Sequence, residues 1–123
     1  MARAVVDAGA DALTLINTFP AMSIDIESRR PALKPIALKM VYRVAAAVDV
    51  PIIGCGGITS GEDAVEYLMA DASAVQVGTA TFLNPRAPLD VLEGLEAFMR
   101  DRAVEDVHDL IGAAQPQERT ADV

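Results

Sequence analysis

Three glycines stand within four positions at the end of a short apolar run, in the stretch Pro51–Ile58 (PIIGCGGI). An apolar run that ends in glycines ahead of a helix is typical of a buried parallel strand whose carboxyl end meets a ligand. Because Gly56 and Gly57 lack Cβ atoms, their backbone N–H groups can approach an anion closely. The pattern therefore predicts a phosphate site near the start of the following helix, with a simple tight turn as the alternative.

A second glycine follows the next apolar run along the chain. Gly78 and Thr79 end the stretch AVQVGTA. Two successive strands that end in glycine are how the loops after strands seven and eight of a (β/α)8 barrel hold a phosphate. We expect both glycine loops to face one anion, and we expect a bulky side chain at Gly57 to occupy the phosphate position.

Repeated βα units must position these loops. DAGADALTLINT and LMADASAVQVGT share one design, in which a helix end and a small turn precede a buried strand. We predict an α/β fold with adjacent parallel strands at 12–16, 51–55 and 73–77, which place Asn17, Gly56 and Gly78 at one end. Helices are predicted at 2–8, 36–48, 62–70, 88–102 and 106–114, with the SIDIES segment of loop 19–35 as a short extended arm.

Local signals fix several of these boundaries. Pro35 suits the first turn of a helix, Gly9 suits a left-handed helix end, and Ser60 with Asp63 resembles a capping box. Asp71 occupies a turn that favours glycine, and Asp tolerates the left-handed conformation at modest cost.

The composition bounds the kind of protein. The 123 residues suffice for one domain, hydrophobic residues make up 52%, and the formal net charge is −8. The acidic balance argues against a nucleic-acid surface and favours a soluble, cytoplasmic protein. The one cysteine excludes an internal disulfide and leaves no zinc ligand set, so no metal site is expected. The sequence shows neither a signal peptide nor a membrane span.

Two longer stretches carry a specific resemblance. ADALTLINTFPAMSIDIESRRP and KPIALKMVYRVAAAVDVPIIGCGGITSGEDAVEYLMADASAVQVGTATF resemble the C-terminal part of the dihydroorotate dehydrogenases, in particular the NAD-linked class 1B catalytic subunit. The resemblance covers residues 8–112. It implies part of an FMN-binding TIM (β/α)8 barrel, about strands 6 to 8, over residues 1–114, and the polar residues 115–123 are expected to be a disordered tail.

The resemblance also implies an activity. That family uses FMN to oxidise dihydroorotate to orotate in pyrimidine biosynthesis. By similarity the FMN phosphate would be held by Gly56, Gly57, Gly78 and Thr79. Ile16 would lie near the flavin, and Asn17 and Thr18 would hydrogen-bond orotate. An Asn amide offers both a donor and an acceptor, which suits a pyrimidine ring. Without the resemblance, Asn17 and Thr18 would be interpreted as a strand-ending turn. The implied partners are a second subunit, which carries FAD and an iron–sulfur cluster and links to NAD, and further copies of the chain in a homo-oligomer.

The sequence departs from the family at two places. A glycine-rich loop between the family's RRP and KP motifs is missing, because residues 30–35 bridge that gap directly. The family segment with the catalytic cysteine base is also missing, so we predict no catalytic residue here and no turnover by the chain alone. The alternatives are another FMN barrel, such as dihydropyrimidine dehydrogenase, or a non-catalytic remnant that binds phosphate weakly.

The remaining candidate residues have ordinary interpretations. Cys55 is expected to be a small buried residue rather than the base. His108 is expected to serve a surface or capping role. Solvated loop and helix charge is expected for the basic residues Arg29, Arg30, Lys34, Lys39 and Arg43, with attraction of an anionic substrate as the alternative.

Overall fold

The computed structural model describes residues 1–17, 23–25, 30–32 and 34–116. The strands are β1 (Leu13–Leu15), β2 (Ser23–Asp25), β3 (Arg30–Ala32), β4 (Ile52–Cys55) and β5 (Ala74–Gln76). The helices are α1 (Ala2–Asp7), α2 (Lys34–Ala45), α3 (Gly61–Met69), α4 (Ala80–Leu83) and α5 (Ala87–Asp101), followed by a short 3-10 helix at Val107–Asp109.

The main sheet is parallel, with the strand order β1-β4-β5. Leu13 pairs with Ile52, and Ile53 pairs with Ala74, so the chain steps from each strand to its neighbour through a helix-containing connection. All three carboxyl ends lie at one edge of the sheet, where Asn17, Gly56 and Gly78 follow their strands. This confirms the predicted α/β fold, in which the repeated βα units form part of a (β/α)8 barrel.

A separate two-stranded sheet forms within the long connection after β1. β2 pairs antiparallel with β3, and Ile24 lies opposite Pro31. The predicted extended arm is therefore present at Ser23–Asp25, while the rest of SIDIES lies outside the described residues.

The core lies between the main sheet and helices α2 and α3. Ala37 and Val41 of α2, Ile52 of β4 and Tyr67 of α3 are fully or almost fully buried. Most core positions carry small or branched aliphatic side chains, so the helices pack closely on the strands. Tyr67 is the largest fully buried side chain, and its position directly under β4 matters for the candidate site.

Several predicted local signals are confirmed. Pro35 lies in the first turn of α2, and Gly9 adopts a φ of +99° just after α1. Ser60 and Asp63 form a complete capping box at the start of α3. Asp71 adopts a φ of +79°, the left-handed conformation predicted for it.

The predicted helix at 106–114 is wrong, and only Val107–Asp109 forms a helical turn. Gly112 turns the chain with a φ of +74°. The N–H groups of Gly112 and Ala114 then donate to the carbonyls of Leu68 and Met69 at 3.0 Å each. These residues satisfy the carboxyl end of α3 instead of continuing a helix of their own.

Two further differences concern residues 80–83 and the tail. The loop predicted after Thr79 contains the short helix α4. Gln115, assigned to the polar tail, donates through Nε2 to the carbonyls of Tyr42 and Ala70 at 3.0 and 3.2 Å. None of the described helices is long and apolar enough to cross a bilayer.

Candidate anion-binding site

The loops that follow β4 and β5 enclose a cavity of about 310 Å³ at the carboxyl edge of the sheet. Its walls are formed by Cys55, Gly56, Gly57, Ile58, Thr59, Gln76, Gly78, Thr79, Ala80 and Leu83. We call this space the glycine cavity. The structure thus brings together the four residues, Gly56, Gly57, Gly78 and Thr79, to which the sequence assigns one anion.

Three residues that line the glycine cavity have backbone N–H groups without a partner among the described residues. Within the described residues, the N–H groups of Gly57, Gly78 and Thr79 form no hydrogen bond to another protein group. All three residues are exposed. Free backbone N–H groups around one concave site are a common way to bind a phosphate or another anion.

The two glycines after β4 are required by their conformation. Gly56 has a φ of +132° and Gly57 a φ of +68°, values that other residues rarely adopt. A Cβ built on Gly57 would lie 3.0 Å from Cβ and 3.2 Å from the backbone nitrogen of Lys34. The expectation that a side chain at Gly57 would occupy the phosphate position is therefore wrong, because that side chain would collide with the start of α2.

Among the glycines that line the glycine cavity, Gly78 is the one at which a Cβ would have no close protein neighbour. A Cβ built there has no neighbour within 4 Å, and the backbone is not in the left-handed region. Because Gly78 lines the glycine cavity, a side chain there would take up space that a ligand could otherwise use.

The buried Tyr67 side chain contacts the loop that follows β4, residues 56–60, from the core side. We call these residues the glycine loop. Its hydroxyl donates to the carbonyl oxygen of Gly56 at 2.7 Å. A Cβ built on Gly54 would lie only 2.5 Å from the tyrosine ring, so the ring packs directly on the strand backbone. Burial raises the pKa of Tyr67 far above its ordinary value, and the hydroxyl therefore remains a donor.

Asp63 and Lys34 fix the other side of the loop. Oδ2 of the buried Asp63 accepts hydrogen bonds from the Thr59 N–H at 2.8 Å, the Thr59 hydroxyl at 2.9 Å and the Ser60 N–H at 3.0 Å. Its Oδ1 accepts from Lys34 Nζ at 2.5 Å. Burial alone would raise the pKa of Asp63, but the hydrogen bonds from Lys34 and Thr59 outweigh it and hold that pKa below its ordinary value.

Lys34 was expected to carry solvated charge, and this expectation is wrong. Its ammonium lies 2.5 Å from Asp63 and 3.0 Å from Glu66, and its side chain is 28% exposed. Burial would lower the pKa of Lys34, yet these two carboxylates raise it. Because the ammonium is held by two carboxylates, an anion in the glycine cavity would depend mainly on backbone N–H groups.

Ile16 and Asn17, which follow β1, are not among the described residues that line the glycine cavity. The Ile16 N–H donates to the Cys55 carbonyl at 3.0 Å, and Ile16 Cγ1 would lie 3.9 Å from a Cβ built on Gly56. Asn17 follows at the same sheet edge and is exposed. Thr18, the other predicted orotate ligand, lies outside the described residues.

The predicted burial of Cys55 is wrong, and the predicted surface position of His108 is confirmed. Cys55 is half-buried and lines the glycine cavity, so the expectation that it is a buried residue is wrong. It lies on the opposite face of β4 from the buried Ile52. His108 is exposed, with Nδ1 2.7 Å from Asp106, which confirms a surface position. No group of three or more potential metal ligands occurs in the described part of the chain.

The sequence predicts the capping box at Ser60 and Asp63. It gives no prediction of the Tyr67 contact with Gly56 or of the ion pair between Lys34 and Asp63. Tyr67 is one of few aromatic residues in the chain and follows Asp63 by four positions in α3. One helical turn separates them, so both side chains face the glycine loop. That spacing was the available signal. Lys34 could be found only from the packing of α2 against α3.

Comparison with known proteins decides the family. The family model described as "Dihydroorotate dehydrogenase" matches residues 1–99. The chain belongs to the dihydroorotate dehydrogenase family. Two proteins described as "Dihydroorotate dehydrogenase B (NAD(+)), catalytic subunit" are similar to it: one from Alkaliphilus oremlandii (strain OhILAs) at 52% identity and one from Alkaliphilus metalliredigens (strain QYMF) at 50%.

These alignments cover most of this chain but less than half of each relative. The two alignments take in 91% and 92% of this chain and 41% of each relative, so the chain spans about two fifths of their length. Ligand-free DHODH from Eimeria tenella superposes on 93% of the chain and 35% of its own length, with a TM-score of 0.79 and 28% identity. The same enzyme in complex with ferulenol gives a TM-score of 0.76 and 27% identity over 94% of this chain and 34% of its own.

Proposed function

We propose that this chain forms the FMN-phosphate end of an NAD-linked, class 1B dihydroorotate dehydrogenase catalytic subunit, which oxidises dihydroorotate to orotate in pyrimidine biosynthesis. The observation that carries the proposal is the glycine cavity. Two adjacent parallel strands lead there to Gly56-Gly57 and Gly78-Thr79, and the N–H groups of the lining residues Gly57, Gly78 and Thr79 have no hydrogen-bond partner among the described residues. Membership of the dihydroorotate dehydrogenase family supports FMN as the source of the phosphate that this site would bind.

The residues present fit the phosphate group of FMN. The Gly57, Gly78 and Thr79 N–H groups are available donors, and the missing side chain of Gly78 leaves open space beside them. The Thr79 hydroxyl can donate to a further phosphate oxygen. FMN, when bound, supplies the acceptor for the hydride that leaves the substrate.

Neighbouring residues would orient the rest of the ligands. Ile16 lies beside Gly56, so its side chain would pack against the flavin ring next to the phosphate site. Asn17 lies at the end of β1, and its amide would both donate to and accept from a pyrimidine ring. We propose Thr18 as a second orotate ligand by resemblance to the family.

The glycine cavity offers little acid–base chemistry of its own. The described residues that line it include no His, Lys, Asp or Glu, and Cys55 is the one cysteine of the sequence. We therefore assign binding and orientation to this chain, and we assign no residue of it to removal of the C5 proton. By resemblance, electrons leave through a partner subunit that carries FAD and an iron–sulfur cluster.

The alignment lengths support a shortened connection. The alignment with the Alkaliphilus oremlandii protein runs over 124 residues and uses 91% of this 123-residue chain, so that relative has residues in the aligned region which this chain lacks. A missing loop between Arg30 and Lys34 would account for the difference. It would remove part of the flavin side of the site.

Two valine substitutions, one at Gly78 after β5 and one at Ala74 within β5, test the proposal. Gly78→Val adds an isopropyl group at a residue that lines the glycine cavity, and the control Ala74→Val adds a larger side chain at the exposed first residue of β5. In a flavin-fluorescence titration, we expect Gly78→Val to weaken FMN binding by at least about tenfold, because it displaces the phosphate from its donors. The control should bind like the wild type.

Equal FMN affinity in wild type and Gly78→Val would contradict the proposed site. A wild-type chain that binds no FMN would contradict the proposed function itself.

A further inference from the structure

The Tyr67 hydroxyl contacts the backbone of the glycine loop from the core side. The Tyr67 side chain is 0% exposed, and its hydroxyl lies 2.7 Å from the Gly56 carbonyl oxygen. We propose that Tyr67 is a positioning residue for the bound anion: its hydroxyl fixes the Gly56–Gly57 peptide plane so that the Gly57 N–H points into the glycine cavity. This inference rests on the proposed function and adds a residue to its site.

The geometry of the peptide unit leads to this assignment. A peptide is planar, and in the trans form its C=O and the following N–H point in opposite directions. The Gly56 carbonyl points at the buried Tyr67 hydroxyl, so the Gly57 N–H points away from α3. Gly57 is exposed and lines the glycine cavity, which places that N–H on the ligand side.

A Gly-Gly peptide needs such an anchor. Glycine adopts positive and negative φ with similar ease, so the Gly56–Gly57 peptide can rotate with little steric cost. In the rotated state a carbonyl oxygen would face the ligand and repel an anion. A hydrogen bond to Gly56 selects the state that presents the donor.

The hydroxyl is well suited to this task. A carbonyl can only accept, so the phenol must donate, and burial keeps the pKa of Tyr67 high enough for the proton to remain. The ring cannot move away easily, because it packs on Gly54 where even a Cβ would come within 2.5 Å. The loop and the helix are thus joined at a fixed distance.

The test is an NMR titration of the full chain with inorganic phosphate, in which the amide signals of Gly57, Gly78 and Thr79 are followed. Tyr67→Phe removes the hydroxyl and keeps the ring on Gly54. Tyr42→Phe is the matched control, since Tyr42 lies on α2 in a separate groove and does not line the glycine cavity.

We expect phosphate to shift all three amide signals in the wild type and in Tyr42→Phe. In Tyr67→Phe the affinity should fall about five- to tenfold, as for loss of one hydrogen bond, and the Gly57 response should shrink while that of Gly78 remains. A role confined to stability would lower the melting temperature and leave the ratio of the Gly57 and Gly78 responses unchanged.

Two results would overturn the proposal without touching the proposed function: phosphate that shifts Gly78 and Thr79 but not Gly57 in the wild type, or unchanged affinity and an unchanged Gly57 response in Tyr67→Phe. Phosphate that shifts none of the three would overturn both. A variant-free check uses the Tyr67 hydroxyl proton, which should exchange slowly in the wild type. Rapid exchange would contradict the buried hydrogen bond even if Tyr67→Phe failed to fold.

Discussion

Asp63 joins three parts of the structure through one buried carboxylate. It caps α3 through Ser60, holds the loop at Thr59 and pairs with Lys34 at the start of α2. Removal of one partner from such a network leaves the others with unsatisfied groups, which costs more than the bond itself contributes. The glycine loop therefore depends on a residue that does not line the glycine cavity.

We predict that Asp63→Asn lowers the free energy of unfolding by about 1–3 kcal/mol at neutral pH, because the uncharged amide no longer compensates Lys34. The matched control is Glu93→Gln, which removes the exposed Arg86–Glu93 pair. Exposed pairs contribute little, so the control should cost under about 0.5 kcal/mol. Urea unfolding at pH 7 measures both, and equal losses would contradict the role of Asp63.

We also predict that the stability difference between the wild type and Asp63→Asn depends on pH. The folded pKa of Asp63 lies below its ordinary value of 3.8, so its contribution is present above pH 3.8 and is lost as the pH falls through the folded pKa. The folded pKa of Lys34 lies above 10.5, so its contribution is present below pH 10.5 and is lost as the pH rises beyond it. The stability difference between wild type and Asp63→Asn should be constant between these limits and shrink outside them. A difference that persists in full at pH 2 would contradict the assignment.

At the scale of elements, helices α3 and α5 meet at two glycines. A Cβ built on Gly61 would overlap the backbone of Gly94, and one built on Gly94 would lie 3.0 Å from Gly61. The start of α3 follows directly on the glycine loop, so this contact sets where the loop can lie. Small residues allow two backbones to approach this closely, and an added methyl group must push them apart.

We predict that Gly61→Ala destabilises the chain by about 1–3 kcal/mol, despite the better helix propensity of alanine. Glu62→Ala, one position later and exposed, is the control and should change stability by less than about 0.5 kcal/mol. Thermal unfolding measures both changes. A Gly61→Ala chain as stable as the wild type would show that the α3–α5 contact is looser than described.

The sequence predicted those elements whose local signals and packing agree. The capping box at Ser60 and Asp63, the first turn at Pro35 and the turn at Asp71 all follow from the preferences of single residues. The predicted helix at 106–114 failed because Gly112 and Ala114 donate instead to the carboxyl end of α3. No local pattern reveals that competition, since it depends on where α3 ends in space.

At the scale of the molecule, the glycine cavity could be predicted because each strand end carries its own signal. Gly56, Gly57 and Gly78 are recognisable one loop at a time, and parallel pairing brings them together. The support under the loop was not predictable in the same way. Tyr67 and Lys34 act through contacts between helices and strands, and their residue types alone are equally compatible with a plain core and a solvated surface.

None of the described residues that line the glycine cavity is a His, Lys, Asp or Glu, and this leads to a prediction about turnover. A positioned base contributes on the order of 10²- to 10⁴-fold to proton removal. We therefore expect no measurable orotate from the purified chain with dihydroorotate, FMN and an electron acceptor. The Cys55→Ser variant serves as the control for the one thiol in the lining. Turnover that disappears in Cys55→Ser would contradict the prediction and make Cys55 a base.

We propose that the glycine cavity recognises the phosphate of FMN. The most direct measurement compares FMN with riboflavin, which has the same ring system without the phosphate, by titration calorimetry on the wild-type chain. Because each hydrogen bond to a charged group contributes about 1.5–3 kcal/mol, FMN should bind at least about tenfold more tightly than riboflavin. Equal affinities would contradict the claim, since they would show that the backbone donors at Gly57, Gly78 and Thr79 hold no phosphate.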